Sequence, residues 1–139
     1  MLNNINPALW GRAYWDMLYY IIVAYPENPT ISDKKNIYNF FENLGNVIPC
    51  EKCSTHYVEF KQKYPLHDKI LSNNTYLLSW LVKLNNDVNS RMGKELVTVE
   101  DMYKKYTTPI KKYNYTKITI FILLIILIII LVLYARIHK

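Results

Sequence analysis

The chain contains only two cysteines, Cys50 and Cys53, and they lie three residues apart. This C-x-x-C spacing lets two thiols meet on the first turn of a helix, where they can open and close as a dithiol and a disulfide or bind a metal ion. Because the chain has no further cysteine, a reactive pair must exchange with something outside it, such as a cofactor, a metal ion or the thiols of a partner. The possible functions therefore depend first on these two thiols.

The residues alone leave three interpretations of the pair open. The first is a redox-active dithiol, favoured by Pro49 before the pair and by the positive end of a helix dipole, which lowers the pKa of a thiol. The second is a zinc site made of Cys50, Cys53, His56 and His67, although structural zinc sites normally draw their ligands from two separated pairs. In the third, the cysteines are simply small buried side chains.

Apolar residues at intervals of three and four predict an all-α soluble part from residue 7 to about residue 106. In the first predicted helix the buried face consists of Leu9, Ala13, Met17, Ile21 and Ala24, widened by Trp10, Trp15, Leu18 and Ile22. The second, capped by Thr30 or Ser32, has an apolar face of Ile37, Phe40, Phe41, Leu44 and Val47 or Ile48. Later helices are predicted from the cysteines to about Lys63, over Asn73–Met92, and from Thr98 to near Tyr106. We expect a compact four-helix bundle plus one short helix.

An apolar segment follows this part of the chain. Ile118 to Ala135 are uncharged and mostly Ile and Leu, and as a helix they would extend about 27 Å, close to the ~30 Å hydrocarbon thickness of a bilayer. A buried core helix is the alternative, but so small a domain could hardly cover it on all sides. The sequence thus predicts a domain over residues 1–106, a basic linker over 107–117, a transmembrane helix over 118–135 and a short basic tail over 136–139.

The location of this segment and of the basic residues suggests a topology. No secretory or mitochondrial targeting pattern precedes the domain, so we expect a C-terminal tail anchor with the domain in the cytosol. The net charge is +6, and anionic lipid would attract the lysines near the predicted membrane surface, Lys104, Lys105, Lys111, Lys112 and Lys117. Nucleic-acid binding is not expected, because no basic stripe or recognition motif occurs inside the domain.

The C-x-x-C pair is one of several motifs that occur in a fixed order. They are Trp10-Gly11-Arg12-x-x-Trp15-x-x-Leu18, Tyr25-Pro26-x-x-Pro29, Pro49-Cys50-x-x-Cys53-x-x-His56, Trp80, Asn85-Asn86-x-Val88-Asn89, Gly93-Lys94 and Tyr106. Together they resemble the FAD-linked sulfhydryl oxidases of the Erv/ALR family over residues 9–106. The two-cysteine domain with a C-terminal anchor is most similar to the forms carried by large cytoplasmic DNA viruses, which would suggest a host ER-derived or virion membrane.

The resemblance implies a fold and a reaction. Such proteins are four-helix bundles, usually homodimers, that hold FAD without a covalent bond, oxidise protein dithiols and pass the electrons to O2, giving H2O2. By position, Cys53 would be the sulfur that attacks the flavin and Cys50 the outer sulfur that the substrate attacks. No metal is implied. The residues that would line the FAD site are Gly11, Arg12, Trp15, Tyr19, His56, Asn85, Asn86, Val88, Asn89 and Lys94.

Two features depart from the family pattern. Tyr19 and Asn85 occupy positions where the family commonly has histidine. Many cellular members also carry a second, shuttle C-x-x-C, which is impossible here because both cysteines belong to the predicted active site. The substrate should therefore reach Cys50 directly, which favours a small dithiol partner such as a thioredoxin- or glutaredoxin-like protein. The competing hypothesis is a tail-anchored helical adaptor without enzymatic activity, with or without a Cys/His metal site.

Overall fold

The computed structural model of the chain describes residues 4–108 and 115–137. Across these residues the chain forms six α-helices and two short 3-10 turns, and no β-strand. The chain divides into two compact units, residues 1–108 and 109–139. The helices are α1 (Pro7–Val23), α2 (Ile31–Leu44), α3 (Glu51–Lys63), α4 (Asn74–Arg91), α5 (Val99–Thr107) and α6 (Tyr115–Ile137), with 3-10 turns over Gly45–Val47 and Ile70–Ser72.

Side-chain caps begin the helices of the first unit where the sequence predicts them. The Thr30 hydroxyl accepts the backbone N–H of Asp33, while the Asp33 carboxylate accepts the backbone N–H of Thr30, a complete capping box. At the starts of α4 and α5, the Asn73 side chain accepts the backbone N–H of Tyr76 and the Thr98 hydroxyl accepts that of Asp101. Each cap satisfies an N–H group that has no partner within its helix, so these boundaries follow from local chemistry.

The core of the first unit is built around α4. The buried residues of α4 are Leu77, Leu78, Trp80, Leu81, Val82 and Leu84, and α1, α2 and α3 add Leu18, Tyr19, Ile22, Ile37, Phe41, Leu44, Tyr57 and Phe60. The Trp80 ring makes edge contacts with Phe41 of α2 and Phe60 of α3, and α1 packs on both α4 and α5. The prediction of an all-α bundle with one additional short helix is confirmed.

The predicted buried face of α1 is correct in part. Leu18 and Ile22 are buried as predicted, and Trp15 and Ile21 are half-buried against the core. Leu9 is 81% exposed and Met17 is 41% exposed, and Ala13 and Ala24 are exposed as well. The buried stripe of Leu18, Tyr19 and Ile22 is therefore turned by roughly 100° relative to the stripe predicted at the centre of the face, since each helical residue advances by that angle. Both faces of α1 are apolar, so periodicity alone cannot choose between them; packing on α4 and α5 decides.

A second, smaller difference concerns the end of α2. The predicted apolar face ends with Val47 or Ile48. Ile48 is half-buried against the core, whereas Val47 is 54% exposed. The α-helix ends at Leu44 and the chain continues as the 3-10 turn Gly45–Val47. The tighter winding changes the angle between successive side chains and carries Val47 out of the α2 stripe.

The second unit contains α6. Its 18-residue stretch Thr119–Arg136 has a mean hydropathy of 2.9 and is not buried within the structure, so the helix is long and apolar enough to cross a membrane. The helix Tyr115–Ile137 starts three residues before and ends two residues after the predicted span. Most of the predicted linker (residues 109–114), and positions 138 and 139 of the predicted basic tail, lie outside the described residues.

Candidate active site

Cys50 and Cys53 lie at the start of α3, where the first turn brings their sulfurs together. Cys50 is the N-cap, with extended backbone, and Cys53 is the third residue of the helix. The two sulfurs form a disulfide, and the backbone N–H of Cys53 donates to Cys50 Sγ at 3.2 Å. A sulfur at this position faces helix N–H donors and the positive end of the dipole, which favour its thiolate form after reduction. Both cysteines are half-buried.

Two contacts hold the segment that precedes Cys50. The Ser54 hydroxyl donates to the carbonyl of Gly45 at 2.7 Å, and the Tyr14 hydroxyl donates to the carbonyl of Val47 at 2.9 Å. A Cβ atom on Gly45 would come within 3.1 Å of the Tyr57 ring, so this turn packs closely on α3. Sequence reasoning missed Tyr14 and Ser54. The bond from Tyr14 spans 33 residues and the bond from Ser54 spans 9 residues, so no local pattern indicates either.

Burial decreases along the C-terminal half of α4. Up to Leu84 the inward residues of α4 are fully buried, whereas the predicted site residues that follow, Asn85, Asn86, Val88 and Asn89, are half-buried and mostly polar. On α1, Trp15 is half-buried and Tyr19 is buried. His56, one turn after Cys53, is also half-buried.

The Tyr19 hydroxyl is a buried polar group that the protein leaves unsatisfied. Its ring stacks on Tyr106 with 4.6 Å between centroids, and within the described residues its hydroxyl makes no hydrogen bond of ordinary geometry. The Asn85 amide lies near, but its oxygen accepts an N–H from Asn89 at 2.9 Å. Burial raises the pKa of Tyr19 above its ordinary value, with Asn85 opposing the shift. A neutral, unpaired donor of this kind costs about 1–3 kcal/mol and points to an acceptor supplied by a ligand.

The asparagines of α4 fasten the loop that follows the helix. Asn86 holds both sides of the Val97 residue: its amide nitrogen donates to the Val97 carbonyl at 2.8 Å and its oxygen accepts the Val97 N–H at 2.9 Å. Asn89 donates to the carbonyl of Glu95 at 3.2 Å, and its own carbonyl accepts the N–H of Lys94 at 2.9 Å. The side chain of Asn86 is thereby engaged with the loop that carries Lys94.

The remaining predicted residues, Gly11, Arg12 and Lys94, lie at or near the protein surface. Gly11 has open space where a Cβ atom would be, and Lys94 is exposed. The exposed Arg12 guanidinium is 3.9 Å from Asp16, whose carboxylate also accepts the Tyr106 hydroxyl at 2.6 Å.

The structure does not assemble the alternative zinc site. His67 is exposed in the connection after α3. Within residues 4–108 and 115–137, no three side chains among His, Cys, Asp and Glu come together as metal ligands would.

Comparison with known proteins decides the family. The Erv1 / Alr family profile matches residues 12–107, which is most of the chain. The chain belongs to the Erv1 / Alr family. The predicted resemblance is thereby confirmed, and the matched range includes both cysteines, α4 and the loop fastened by Asn86.

Relatives and solved structures agree with this assignment. A probable FAD-linked sulfhydryl oxidase of Acanthamoeba polyphaga mimivirus is 37% identical over 114 residues, covering 80% of each chain. A putative FAD-linked sulfhydryl oxidase of Invertebrate iridescent virus 3 is 26% identical over 106 residues, covering 76% of this chain and 71% of the relative. The crystal structure of the yeast Erv1 core shares the fold, with a TM-score of 0.69 at 19% identity over 76% of this chain and 87% of that one.

Proposed function

We propose that this member of the Erv1 / Alr family is an FAD-linked sulfhydryl oxidase that makes disulfide bonds in partner proteins through Cys50 and Cys53. The observation that carries the proposal is the half-buried disulfide at the start of α3, in the same helical unit as the half-buried asparagines of α4. The names of the viral relatives, which are FAD-linked sulfhydryl oxidases, support the same activity.

The protein steps follow from disulfide exchange. A partner thiolate attacks Cys50 Sγ, the Cys50–Cys53 bond breaks, and Cys53 leaves as a thiolate at the α3 N-terminus, whose backbone N–H groups stabilise it. The partner's second thiolate then attacks the partner's first sulfur, which is bonded to Cys50 in the mixed disulfide. Cys50 leaves as a thiolate, and the partner is left with a disulfide. The partner has lost two electrons and two protons to the enzyme, whose two thiols must be reoxidised.

The chemistry of the predicted site residues fits a flavin. When bound, FAD supplies a two-electron acceptor that returns Cys50 and Cys53 to the disulfide and passes the electrons to O2, giving H2O2. The unsatisfied Tyr19 hydroxyl offers a neutral donor to it, and Trp15 offers a flat apolar wall. His56, Asn85 and Val88 would line the FAD site. Asn86 and Asn89 hold the loop from which Lys94 would reach the phosphates of FAD. Gly11 and Arg12 would contact the cofactor from the α1 rim.

We further propose that the enzyme works as a membrane-anchored homodimer on small dithiol proteins. Helix α6 would hold the catalytic unit at a membrane, with that unit in the cytosol. Thiols there are kept reduced by glutathione, so disulfides persist only where an O2-driven catalyst makes them locally. Thioredoxin- or glutaredoxin-like proteins are suitable substrates, because their dithiols can reach Cys50 without a shuttle pair.

Spectroscopy of the full chain in detergent micelles tests this function. We expect a yellow protein with flavin absorbance at about 450 nm. Dithiothreitol should bleach this absorbance in the absence of oxygen, and air should restore it. Cys53→Ser should keep the flavin and lose oxygen consumption with dithiothreitol, because no second thiol remains to complete the transfer. As a control, Thr55→Ala, an exposed residue on the same helix, should retain the parent rate. A colourless protein despite added FAD, or a Cys53→Ser variant as fast as the parent, would refute the proposal.

A further inference from the structure

The segment before α1 is bound to both sides of Cys50. The backbone N–H of Ile5 donates to the carbonyl of Pro49 at 2.9 Å, and the backbone N–H of Glu51 donates to Asn4 Oδ1 at 2.9 Å. We call residues 4–6 the strap. Because the strap bonds to the residue before Cys50 and to the residue after it, it lies beside the backbone that carries the outer sulfur.

Further hydrogen bonds tie the strap and the turn before Cys50 to α1. The Trp10 indole N–H donates to the carbonyl of Ile5 at 3.0 Å, and the Tyr14 hydroxyl donates to the carbonyl of Val47 at 2.9 Å. Both peptide groups of Ile5 are thus engaged. The Ile5 and Val47 side chains nevertheless remain 46% and 54% exposed. These exposed side chains are therefore carried by a backbone that hydrogen bonds hold in place.

Ile5 is held next to the Cys50 backbone and Val47 lies three residues before Cys50, so both exposed side chains offer apolar surface to a molecule that reaches this sulfur. The chain has no cysteine besides Cys50 and Cys53, so a partner must bring its own sulfur to Cys50 and cover the neighbouring surface as it does so. A small dithiol can make the same bond without touching Ile5 or Val47. The observations therefore favour a protein as the occupant of this surface.

We propose that the strap and Val47 form the docking surface for the cysteine-bearing segment of the dithiol protein substrate. This inference rests on the proposed function. During docking the partner's thiolate forms the mixed disulfide with Cys50 and Cys53 leaves as thiolate, as in the exchange above. Ile5 and Val47 act in recognition of the partner and take no part in that exchange.

Charged substitutions separate recognition from chemistry. We expect Ile5→Lys in the full chain to raise the KM for reduced thioredoxin about tenfold, as loss of a central apolar contact does at protein interfaces. The kcat/KM for dithiothreitol should stay within about twofold, because a small dithiol needs no docking surface. Val47→Lys, on a different element, should show the same selectivity.

Ile31→Lys is the matched control. Ile31 is 88% exposed at the first position of α2, the opposite end of a helix about 20 Å long from Val47, and the substitution is chemically the same. It should leave both substrates unaffected. Circular dichroism and flavin content would verify that each variant is folded.

Each other outcome contradicts the inference. Equal loss with both substrates would mean that the strap positions Cys50 and does not bind the partner, and no loss with thioredoxin would mean that the partner docks elsewhere. An equal effect of Ile31→Lys would reduce the result to surface charge. Failure of the parent chain to oxidise dithiothreitol would instead refute the proposed function itself, so the two failures are distinguishable.

Discussion

At the scale of single residues, the asparagines of α4 show how an unfavourable helix residue is justified by a distant contact. Asparagine is a poor residue for the middle of a helix because its amide competes with the backbone. Asn86 resolves that conflict by bonding to both the N–H and the carbonyl of Val97, eleven residues away. These two bonds close the loop after α4.

Replacing Asn86 should open this loop. Asn86→Ala removes two hydrogen bonds from a half-buried site, so we expect a loss of about 1–3 kcal/mol in the free energy of unfolding. We also expect weaker retention of FAD, because the loop that carries Lys94 loses its two bonds at Val97. Denaturant unfolding and flavin content in detergent would measure both. Asn43→Ala, which removes one exposed bond to the carbonyl of Asn39, should cost less than about 0.5 kcal/mol. Equal losses in the two variants would show that the Asn86 contact has no special role.

At the scale of elements, the start of α2 depends on an ionised carboxylate. The pKa of Asp33 is lowered mainly by a hydrogen bond from the Thr30 hydroxyl and next by one from the Thr30 backbone N–H. Both groups donate to the charged carboxylate and so favour it. A carboxyl group whose pKa is lower in the folded state stabilises the fold above its unfolded pKa, and that contribution disappears as the pH falls through the folded value. The capping box should therefore fail in acid.

The pH dependence of an Asp33→Asn variant tests this sign. At pH 7 the variant should melt at a lower temperature than the parent, whereas near pH 3 and below the difference should shrink, since the parent's carboxylate is then becoming protonated. Thermal unfolding followed by circular dichroism gives the measurement. Glu27→Gln, in the exposed connection before α2, should show no such pattern. A melting difference that stays constant across this range would contradict the assigned role.

At the scale of the whole molecule, the outer face of α1 is an exposed apolar surface of the first unit. Leu9, Ala13, Met17 and Tyr20 recur along this exposed face. Apolar residues on one face of a helix normally cover something. The proposed homodimer would bury this face against a second copy, which would explain why the sequence pattern marks it as interior although the single chain leaves it exposed.

A charge in this face should separate the two copies. We expect the parent in detergent to have the mass of a dimer by light scattering and Ala13→Glu to have that of a monomer, because a buried carboxylate without a counter-charge is costly. The control is Ser79→Glu, which places the same charge on an exposed position in the middle of α4; it should remain dimeric. If Ala13→Glu and the parent had the same mass, α1 would not form the interface.

Local patterns in the sequence were sufficient for much of this protein. The caps at Thr30 and Thr98, the apolar periodicity and the length of the apolar segment all involve residues a few positions apart. Their consequences depend on hydrogen bonds and side-chain contacts within one or two helical turns. The pairing of Cys50 with Cys53 was visible for the same reason, since their spacing alone lets the sulfurs meet at the start of a helix.

Only the tertiary structure decided which surfaces face inward and what surrounds the sulfurs. The inward side of α1, the strap beside Cys50 and the bond from Asn86 to Val97 each join segments that are far apart along the chain or compare two faces of similar hydrophobicity. No short-range rule ranks such alternatives, because their free energies depend on how all the helices pack together. The sequence by itself determined the elements and the reactive pair, whereas packing determined how a partner and a cofactor could approach that pair.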